Sequence, residues 1–210
     1  MGLWEDRLLP HVINVACGGK DIQPLRERAC AGLHGTVLEL GFGSGLNCSL
    51  YPDAVSDVLA IEPADRAWEM AAKRRAESTA PVARAGLDGQ RLDLGDESVD
   101  SVLITFTLCT IPDVDAALQE VARVLKPGGT VHIAEHGTSP DPAVARWQHR
   151  LDGMQQRVFG GCHLTRDPIL LLESAGFDEL QVQTGYISEF GPLRPWMFGY
   201  SGSGQLAHGR

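Results

Sequence analysis

The chain has 210 residues, of which 43% are hydrophobic and 21% are charged, and this composition predicts one globular domain with a complete hydrophobic core. Its formal net charge of -9 disfavours a nucleic-acid partner, because phosphate-backbone binding depends on clustered lysine and arginine. We expect a cytoplasmic protein without an integral membrane segment, because charged residues interrupt the amino terminus and no apolar run approaches the roughly 20 residues of a membrane-spanning helix.

The cysteines form no recognisable metal or disulfide motif. They are odd in number, far apart along the chain and never arranged as C-x-x-C: Cys17, Cys30, Cys48, Cys109 and Cys162. Such spacing is untypical of zinc sites and of disulfide frameworks. We therefore predict a reducing compartment and no bound metal.

Residues 1–33 are predicted to form a helical cap before the first strand. Apolar residues recur at helical spacing from Trp4 to Ala16, Gly18 and Gly19 interrupt the pattern, and residues 22–31 resume it. We expect these helices to pack against a sheet.

A glycine-rich loop follows the short apolar strand predicted at residues 36–40. Gly41, Gly43 and Gly45 recur at a spacing of two, and glycine there permits positive φ and leaves no Cβ to block a ligand. The loop lacks the Gly-Lys-Ser/Thr ending of a P-loop and the G-x-G-x-x-G spacing of dinucleotide-binding enzymes. Glu39, two residues before Gly41, would repel a pyrophosphate and attract an ammonium group.

A second acid follows about twenty residues later, at the end of the next predicted strand. A carboxylate at the position of Glu62, before Pro63, suits hydrogen bonds from two ribose hydroxyls. The segment from Glu39 to Gly45 matches the E/D-x-G-x-G-x-G signature of class I S-adenosylmethionine-dependent methyltransferases, and Glu62 matches their second acid. The chain therefore resembles that family.

The resemblance implies an α/β fold, a Rossmann-like three-layer sandwich. Its seven-stranded, mostly parallel sheet would end in a carboxyl-terminal antiparallel hairpin. A single methyltransferase domain would consist of the helical cap at 1–33, a cofactor-binding core at 34–137, and an acceptor-side segment with the terminal hairpin at 138–210.

The resemblance also implies S-adenosylmethionine as methyl donor and S-adenosylhomocysteine as product. Glu39 and the loop backbone would hold the methionine end, Glu62 the ribose, and Asp88 with Gly89 the adenine. An ordinary Asp-Gly turn is the alternative at Asp88, and the two acids upstream favour adenine binding. The cofactor-binding residues predicted in this way are Glu39, Gly41, Phe42, Gly43, Gly45, Asn47, Glu62, Pro63, Asp88, Gly89, Thr105 and Phe106.

The fourth and fifth predicted strands bring further candidates to the same edge. Thr105 and Phe106 leave the carboxyl end of the fourth strand, and Phe106 is expected near the donor. His136 ends the fifth strand and is our candidate catalytic residue, because a histidine with a pKa near ~6.5 can remove a proton at neutral pH. A structural histidine is an equally weighted alternative.

The remaining chain is predicted to shape the acceptor side. Cys162 and His163 suggest a nucleophile and a base, but methyl transfer needs no enzyme nucleophile, so we expect them to pack in the pocket or loop. A helix is predicted at 168–175 and a strand at 179–187. Residues 195–200 would pair with that strand, and 201–210 would form a loose tail.

A closer resemblance links the chain to the methyltransferase-like seven group of alkyl-thiol S-methyltransferases and their bacterial relatives. The shared segments surround Cys109, His136, Trp147 and Cys162. The resemblance implies methyl transfer to a small-molecule acceptor, with a thiol as the candidate, by a monomer or homodimer. The alternatives are a phospholipid or quinol-type methyltransferase and a non-catalytic S-adenosylmethionine-binding protein. The loop spacing and Glu39 argue against a nicotinamide-dependent oxidoreductase.

Overall fold

A computed structural model describes residues 4–188 and 191–207. Its α-helices are α1 (Leu9–Cys17), α2 (Gln23–Cys30), α3 (Asp65–Met70), α4 (Ala72–Ala76), α5 (Val114–Val124), α6 (Pro142–Val158) and α7 (Pro168–Ser174). Its strands are β1 (Gly35–Leu40), β2 (Val55–Ile61), β3 (Val82–Gly86), β4 (Val99–Thr105), β5 (Leu125–His136), β6 (Phe177–Tyr186) and β7 (Phe198–Leu206). A π-helical turn occupies Trp4–Leu8 and a 3-10 turn occupies Gly191–Trp196. None of the helices in the described ranges is long and apolar enough to cross a membrane.

The strands form one sheet in the order β3-β2-β1-β4-β5-β7-β6. The pairs among β1 to β5 are parallel, whereas β7 runs antiparallel to both of its neighbours. This topology confirms the predicted seven-stranded, mostly parallel sheet. Its central strands are covered on both faces, which explains their nearly continuous apolar sequences.

Alternating residues of β1 enter two separate cores. Leu38 and Leu40 pack in the core that holds the apolar side of α5. Val37 packs on the opposite face with Ala29 and Cys30 of α2. Because side chains alternate along a strand, Glu39 lies on the same face as Val37, beneath α2. The sequence therefore buries a carboxylate inside an apolar layer.

The sequence of the glycine-rich loop predicts a helix that starts at Gly45, but this helix does not form. Residues 46–50 make successive turns instead, with backbone hydrogen bonds from Cys48 to Gly45 and from Leu50 to Asn47. Asn47 and Tyr51 both turn their side chains inward to Glu39. These side-chain bonds compete with helical geometry, and Pro52 closes the segment. Downstream, the pattern of apolar and polar residues over 64–78 predicts a single helix, but the structure divides it at Ala71 into α3 and α4.

The carboxyl-terminal prediction was wrong in its extent. Residues 201–206, predicted as loose tail, belong to β7, which lies inside the sheet between β5 and β6. Glycine and serine have weak β propensity, so this part of the strand was not predicted from the sequence. A Cβ on Gly202 would lie 2.0 Å from the Gln181 carbonyl oxygen, so the strand needs glycine to fit. Residues 208–210 of the predicted tail lie outside the described residues.

We expect Gly202→Ala to lower the free energy of unfolding by more than about 2 kcal/mol, because the added methyl group overpacks against backbone. Gly185→Ala is the matched control, since a Cβ at Gly185 meets nothing within 4 Å. Urea denaturation of the two variants tests the register of β7, and equal stabilities would contradict it.

Candidate functional site

A cavity of about 630 Å³ lies at the carboxyl ends of β1 to β4. Its volume falls within the roughly 300–1,000 Å³ of small-molecule sites. The chain leaves β1 toward β2 on one side, while β4 lies on the other, so the cavity occupies the point where the strand order reverses. Open α/β sheets bind ligands at this point.

The structure divides the predicted site residues into two groups. Those that line the cavity are Gly41, Phe42, Gly43, Glu62, Pro63, Asp88, Gly89, Thr105 and Phe106. Those that are absent from its lining are Glu39, Gly45, Asn47 and His136. The second group lies behind the residues that line the cavity.

Gly41 and Gly43 of the loop are needed for different structural reasons. Gly41 and Gly43 adopt φ of 76° and 59°, a region that favours glycine. A Cβ on Gly41 would lie 2.0 Å from Thr107 Oγ1, so this glycine permits packing inside the protein. A Cβ on Gly43 would meet no protein atom closer than 4.0 Å. The space in front of Gly43 belongs to the cavity, and a ligand can approach its backbone there.

Glu62 places a carboxylate beside that backbone. Its Oε2 accepts a hydrogen bond of 2.6 Å from the Gly43 N–H, and its Oε1 accepts one of 2.8 Å from the Ala64 N–H. Burial raises the pKa of Glu62, while these two hydrogen bonds oppose the rise. Each carboxylate oxygen can accept a further bond. Glu62 can therefore receive two hydroxyl groups of a ligand while it holds the loop.

Glu39 is fully buried on the other side of the loop. Its Oε1 accepts a hydrogen bond of 2.9 Å from Asn47 Nδ2, and its Oε2 accepts one from the Tyr51 hydroxyl. Burial raises the pKa of Glu39 to about 7, against the lowering effect of these bonds. The carboxylate thus anchors the segment that follows the glycines.

Arg26 connects this anchor to the cavity. Its Nη1 donates to Asn47 Oδ1 at 2.8 Å and to Thr105 Oγ1 at 3.0 Å. Its guanidinium carbon lies 5.1 Å from the centre of the Phe106 ring, and the residue is only 5% exposed although it lines the cavity. Arg26 is therefore a fixed cation in the cavity wall.

Arg26 is not among the site residues predicted from the sequence. The sequence feature that indicates a special role is an arginine on the apolar side of α2. Arg26 comes four residues after Ile22 and four before Cys30, and both of these residues are buried. A charged residue at such a helical position is seldom fully buried unless it is paired. That position alone could have marked Arg26 as a candidate.

Asp88 and Gly89 form the far end of the cavity. Asp88 is exposed, and its Oδ1 accepts hydrogen bonds from the backbone N–H and the side-chain amide of Gln90, at 2.9 and 3.0 Å. These bonds lower the pKa of Asp88. A Cβ on Gly89 would lie 2.4 Å from Leu40 Cδ1, so a larger residue in this turn would displace the Leu40 side chain at the end of β1.

Phe106 carries backbone strain at the centre of the site. Its φ of 53° is unusual for an aromatic residue, and such a conformation costs about 1–2 kcal/mol. Its N–H donates to the Ala134 carbonyl at 2.9 Å. The ring lines the cavity on one side and stacks on His136 at 6.5 Å between centroids. Strain of this kind tends to persist where function requires the geometry.

His136 lies behind Phe106. Its Nε2 is 3.3 Å from Cys162 Sγ, and its buried Nδ1 has no hydrogen-bond partner among the described residues. The preceding Glu135 is fully buried, and its Oε1 accepts from the Thr107 and Leu108 N–H groups at 2.7 and 3.0 Å. Burial raises the pKa of Glu135 to about 7.

Comparison with protein families matches residues 38–133 to the family described as "Methyltransferase domain". Thiol S-methyltransferase TMT1B of Rattus norvegicus is 35% identical over 152 residues, which are 70% of this chain and 62% of the rat protein. Thiol S-methyltransferase TMT1A of Homo sapiens is 32% identical over 173 residues, which are 79% of this chain and 70% of the human protein. This chain thus spans less than two thirds of the rat relative.

Two further similarities concern a different acceptor and the fold. Phosphatidylethanolamine N-methyltransferase of Cereibacter sphaeroides is 33% identical over 126 residues, which are 56% of this chain and 60% of that protein. Among solved structures, a SAM-dependent methyltransferase from Thermotoga maritima, a possible histamine N-methyltransferase, has a TM-score of 0.66 at 23% identity. The alignment covers 98% of this chain and 100% of that one, which supports the fold.

The raised pKa of Glu39 predicts a pH-dependent stability. The folded pKa of about 7 exceeds the ordinary value of 4.5, so the folded state holds an extra proton between these values. Its stability should therefore fall as the pH rises from about 5 to about 8, by up to about 3 kcal/mol from this residue.

Glu39→Gln should remove most of that fall, because the amide stays neutral and nearly the same shape. Urea denaturation at both pH values measures the difference, with Glu173→Gln on the exposed side of α7 as control. A variant that follows the pH dependence of the unsubstituted protein would contradict the burial of a titrating Glu39.

Proposed function

This chain belongs to the methyltransferase domain family of S-adenosylmethionine-dependent enzymes, and from that premise we propose that it methylates a thiol group on a small-molecule acceptor. The thiol is proposed because of the similarity to the thiol S-methyltransferases of Rattus norvegicus and Homo sapiens. The observation that supports the cofactor is the set of polar groups along one cavity. Arg26, Glu62 and Asp88 line it in turn, and the open backbone at Gly43 lies among them. That order suits an amino acid, a ribose and a base in one ligand.

The polar residues that line the cavity suit the groups of the cofactor. The Glu62 carboxylate would accept hydrogen bonds from the ribose hydroxyls. Asp88 would accept one from the adenine amine, while the Gly89 N–H would donate to a ring nitrogen. The Arg26 guanidinium would pair with the carboxylate of the methionine end. When bound, S-adenosylmethionine supplies an electrophilic methyl carbon on its sulfonium.

For Glu39 and Asn47 we propose an indirect role. Glu39 holds Asn47, and Asn47 accepts a hydrogen bond from Arg26. These bonds fix the guanidinium at the cavity wall and the loop in front of it. The two residues thereby set the position of the donor without touching it.

The acceptor would enter along the less polar wall. Leu9 and Ile13 of α1 line this side together with Ile111 and Phe159. Apolar side chains exclude water and hold the acceptor in line with the methyl group. A thiol reacts as its thiolate, and since a free thiol has a pKa of about 8.5, a modest lowering suffices at neutral pH. His136 does not line the cavity, so its role as general base stays a prediction.

A phospholipid is the second candidate acceptor. The similarity to phosphatidylethanolamine N-methyltransferase of Cereibacter sphaeroides favours it. A headgroup amine would need to lose a proton before attack, which requires a base close to the methyl carbon. A non-catalytic S-adenosylmethionine-binding protein is the third possibility, and the complete set of cavity residues argues against it.

A methyl-transfer screen with labelled S-adenosylmethionine tests the acceptor. We expect labelled thioether from small alkyl thiols, and no product from phenols, quinols, amines or phosphatidylethanolamine vesicles. Label in the lipid headgroup alone would favour the second candidate and contradict the thiol. No transfer to any acceptor, with S-adenosylhomocysteine still bound, would favour the non-catalytic protein.

Glu62→Gln should weaken the binding of S-adenosylhomocysteine by about 1–3 kcal/mol, because a charged acceptor of the ribose hydroxyls is lost. Isothermal titration calorimetry measures the change, and Glu173→Gln again serves as the control for loss of a carboxylate. Unchanged affinity in the Glu62 variant, with heat of binding retained, would place the ribose elsewhere.

A further inference from the structure

Three side chains with metal-ligating atoms meet behind the wall of the cavity. Cys109 lies in the turn after β4, His136 ends β5, and Cys162 lies in the turn after α6. One ligand atom from each lies within 4.8 Å of the other two. The positions are 26 residues or more apart along the chain, so only the fold brings them together.

Hydrogen bonds to backbone carbonyl groups hold these positions without involving the thiols. The His163 N–H donates to the Cys109 carbonyl at 2.8 Å, which joins the two turns directly. Arg166 Nη1 donates to the carbonyl groups of Leu108 and Ile111, the second at 2.8 Å. The cluster is therefore held in place by its surroundings, as a binding site requires.

The chemistry of the cluster suits a thiolate- and imidazole-binding ion. Cys109 and Cys162 are only 3% and 7% exposed, and His136 Nε2 lies 3.3 Å from Cys162 Sγ. In tetrahedral zinc sites, bonds of about 2.0–2.3 Å place ligand atoms roughly 3.3–3.8 Å apart. The cluster needs to contract by no more than about 1.5 Å to reach that geometry.

Glu135 supplies an independent observation. It is fully buried and directly precedes His136 in the chain. Its Oε2 is buried and has no hydrogen-bond partner among the described residues. A buried carboxylate oxygen without a partner is costly, and a nearby divalent cation would offset that cost.

We propose that Cys109, His136 and Cys162 bind a divalent metal ion of the Zn²⁺ class, with one coordination position left open. The ion ties the turn after α6 to the ends of β4 and β5, next to Thr110 and Gly160 in the cavity wall. This site gives His136 the role of a ligand in place of a general base. The proposal does not depend on which acceptor the enzyme methylates.

Metal content is the first test. The full chain is produced in zinc-supplemented medium, purified under reducing conditions and analysed by inductively coupled plasma mass spectrometry. We expect about one zinc ion per chain. Cys109→Ser and Cys162→Ser should each lose at least about 90% of it, since removal of a ligand weakens binding strongly. Cys30→Ala is the matched control, because Cys30 is a buried thiol outside the cluster and should retain the ion.

Cobalt substitution of the unsubstituted protein keeps the proposal testable if a serine variant fails to fold. Co²⁺ should give a thiolate-to-metal charge-transfer band and the visible bands of tetrahedral coordination. Absence of both metal and band would overturn the proposal, as would full zinc retention in folded Cys109→Ser and Cys162→Ser. A disulfide between Cys109 and Cys162 in metal-free protein, found by mass spectrometry, would overturn it in favour of a redox pair.

Discussion

The geometry of the site depends on one buried carboxylate. Glu39 is fully enclosed beneath α2, where a charge is costly unless hydrogen bonds satisfy it. Asn47 and Tyr51 satisfy it directly, and Arg26 reaches it through Asn47. These residues must stay in place while the carboxylate remains buried, so β1, the glycine-rich loop and α2 are coupled. Asn47 also donates to Thr105 Oγ1 at 3.0 Å, which adds β4 to the same network.

This coupling explains why the cavity wall is stiff where a cofactor would lie. Arg26 cannot turn away without losing its hydrogen bonds to Asn47 and Thr105. Glu62 holds Gly43 from the other side. Phe106, which has a strained backbone at the end of β4, packs between Arg26 and His136. A site fixed in this way meets the donor with little reorganisation, as alignment for methyl transfer requires.

The sequence predicted the parts of this arrangement that are local. The glycine spacing and the acids at Glu39 and Glu62 lie within a short segment, and periodicity located the central strands. The parts that depend on contacts between residues far apart in the sequence could not be predicted from it. Arg26 reaches β4 across 79 positions, and β7 owes its place in the sheet to glycines that fit against β6. The cysteines looked unrelated by spacing, yet the fold gathers Cys109 and Cys162 around His136.

A crystal structure of the complex with S-adenosylhomocysteine is the strongest single test, because it shows all the proposed contacts at once. The account predicts the amino-acid carboxylate within about 3.2 Å of the Arg26 guanidinium. It also predicts the ribose hydroxyls on Glu62 and the adenine beside Asp88 and Gly89. A ligand bound with its ribose away from Glu62, or with its carboxylate on another cation while Arg26 stays on Asn47, would contradict it.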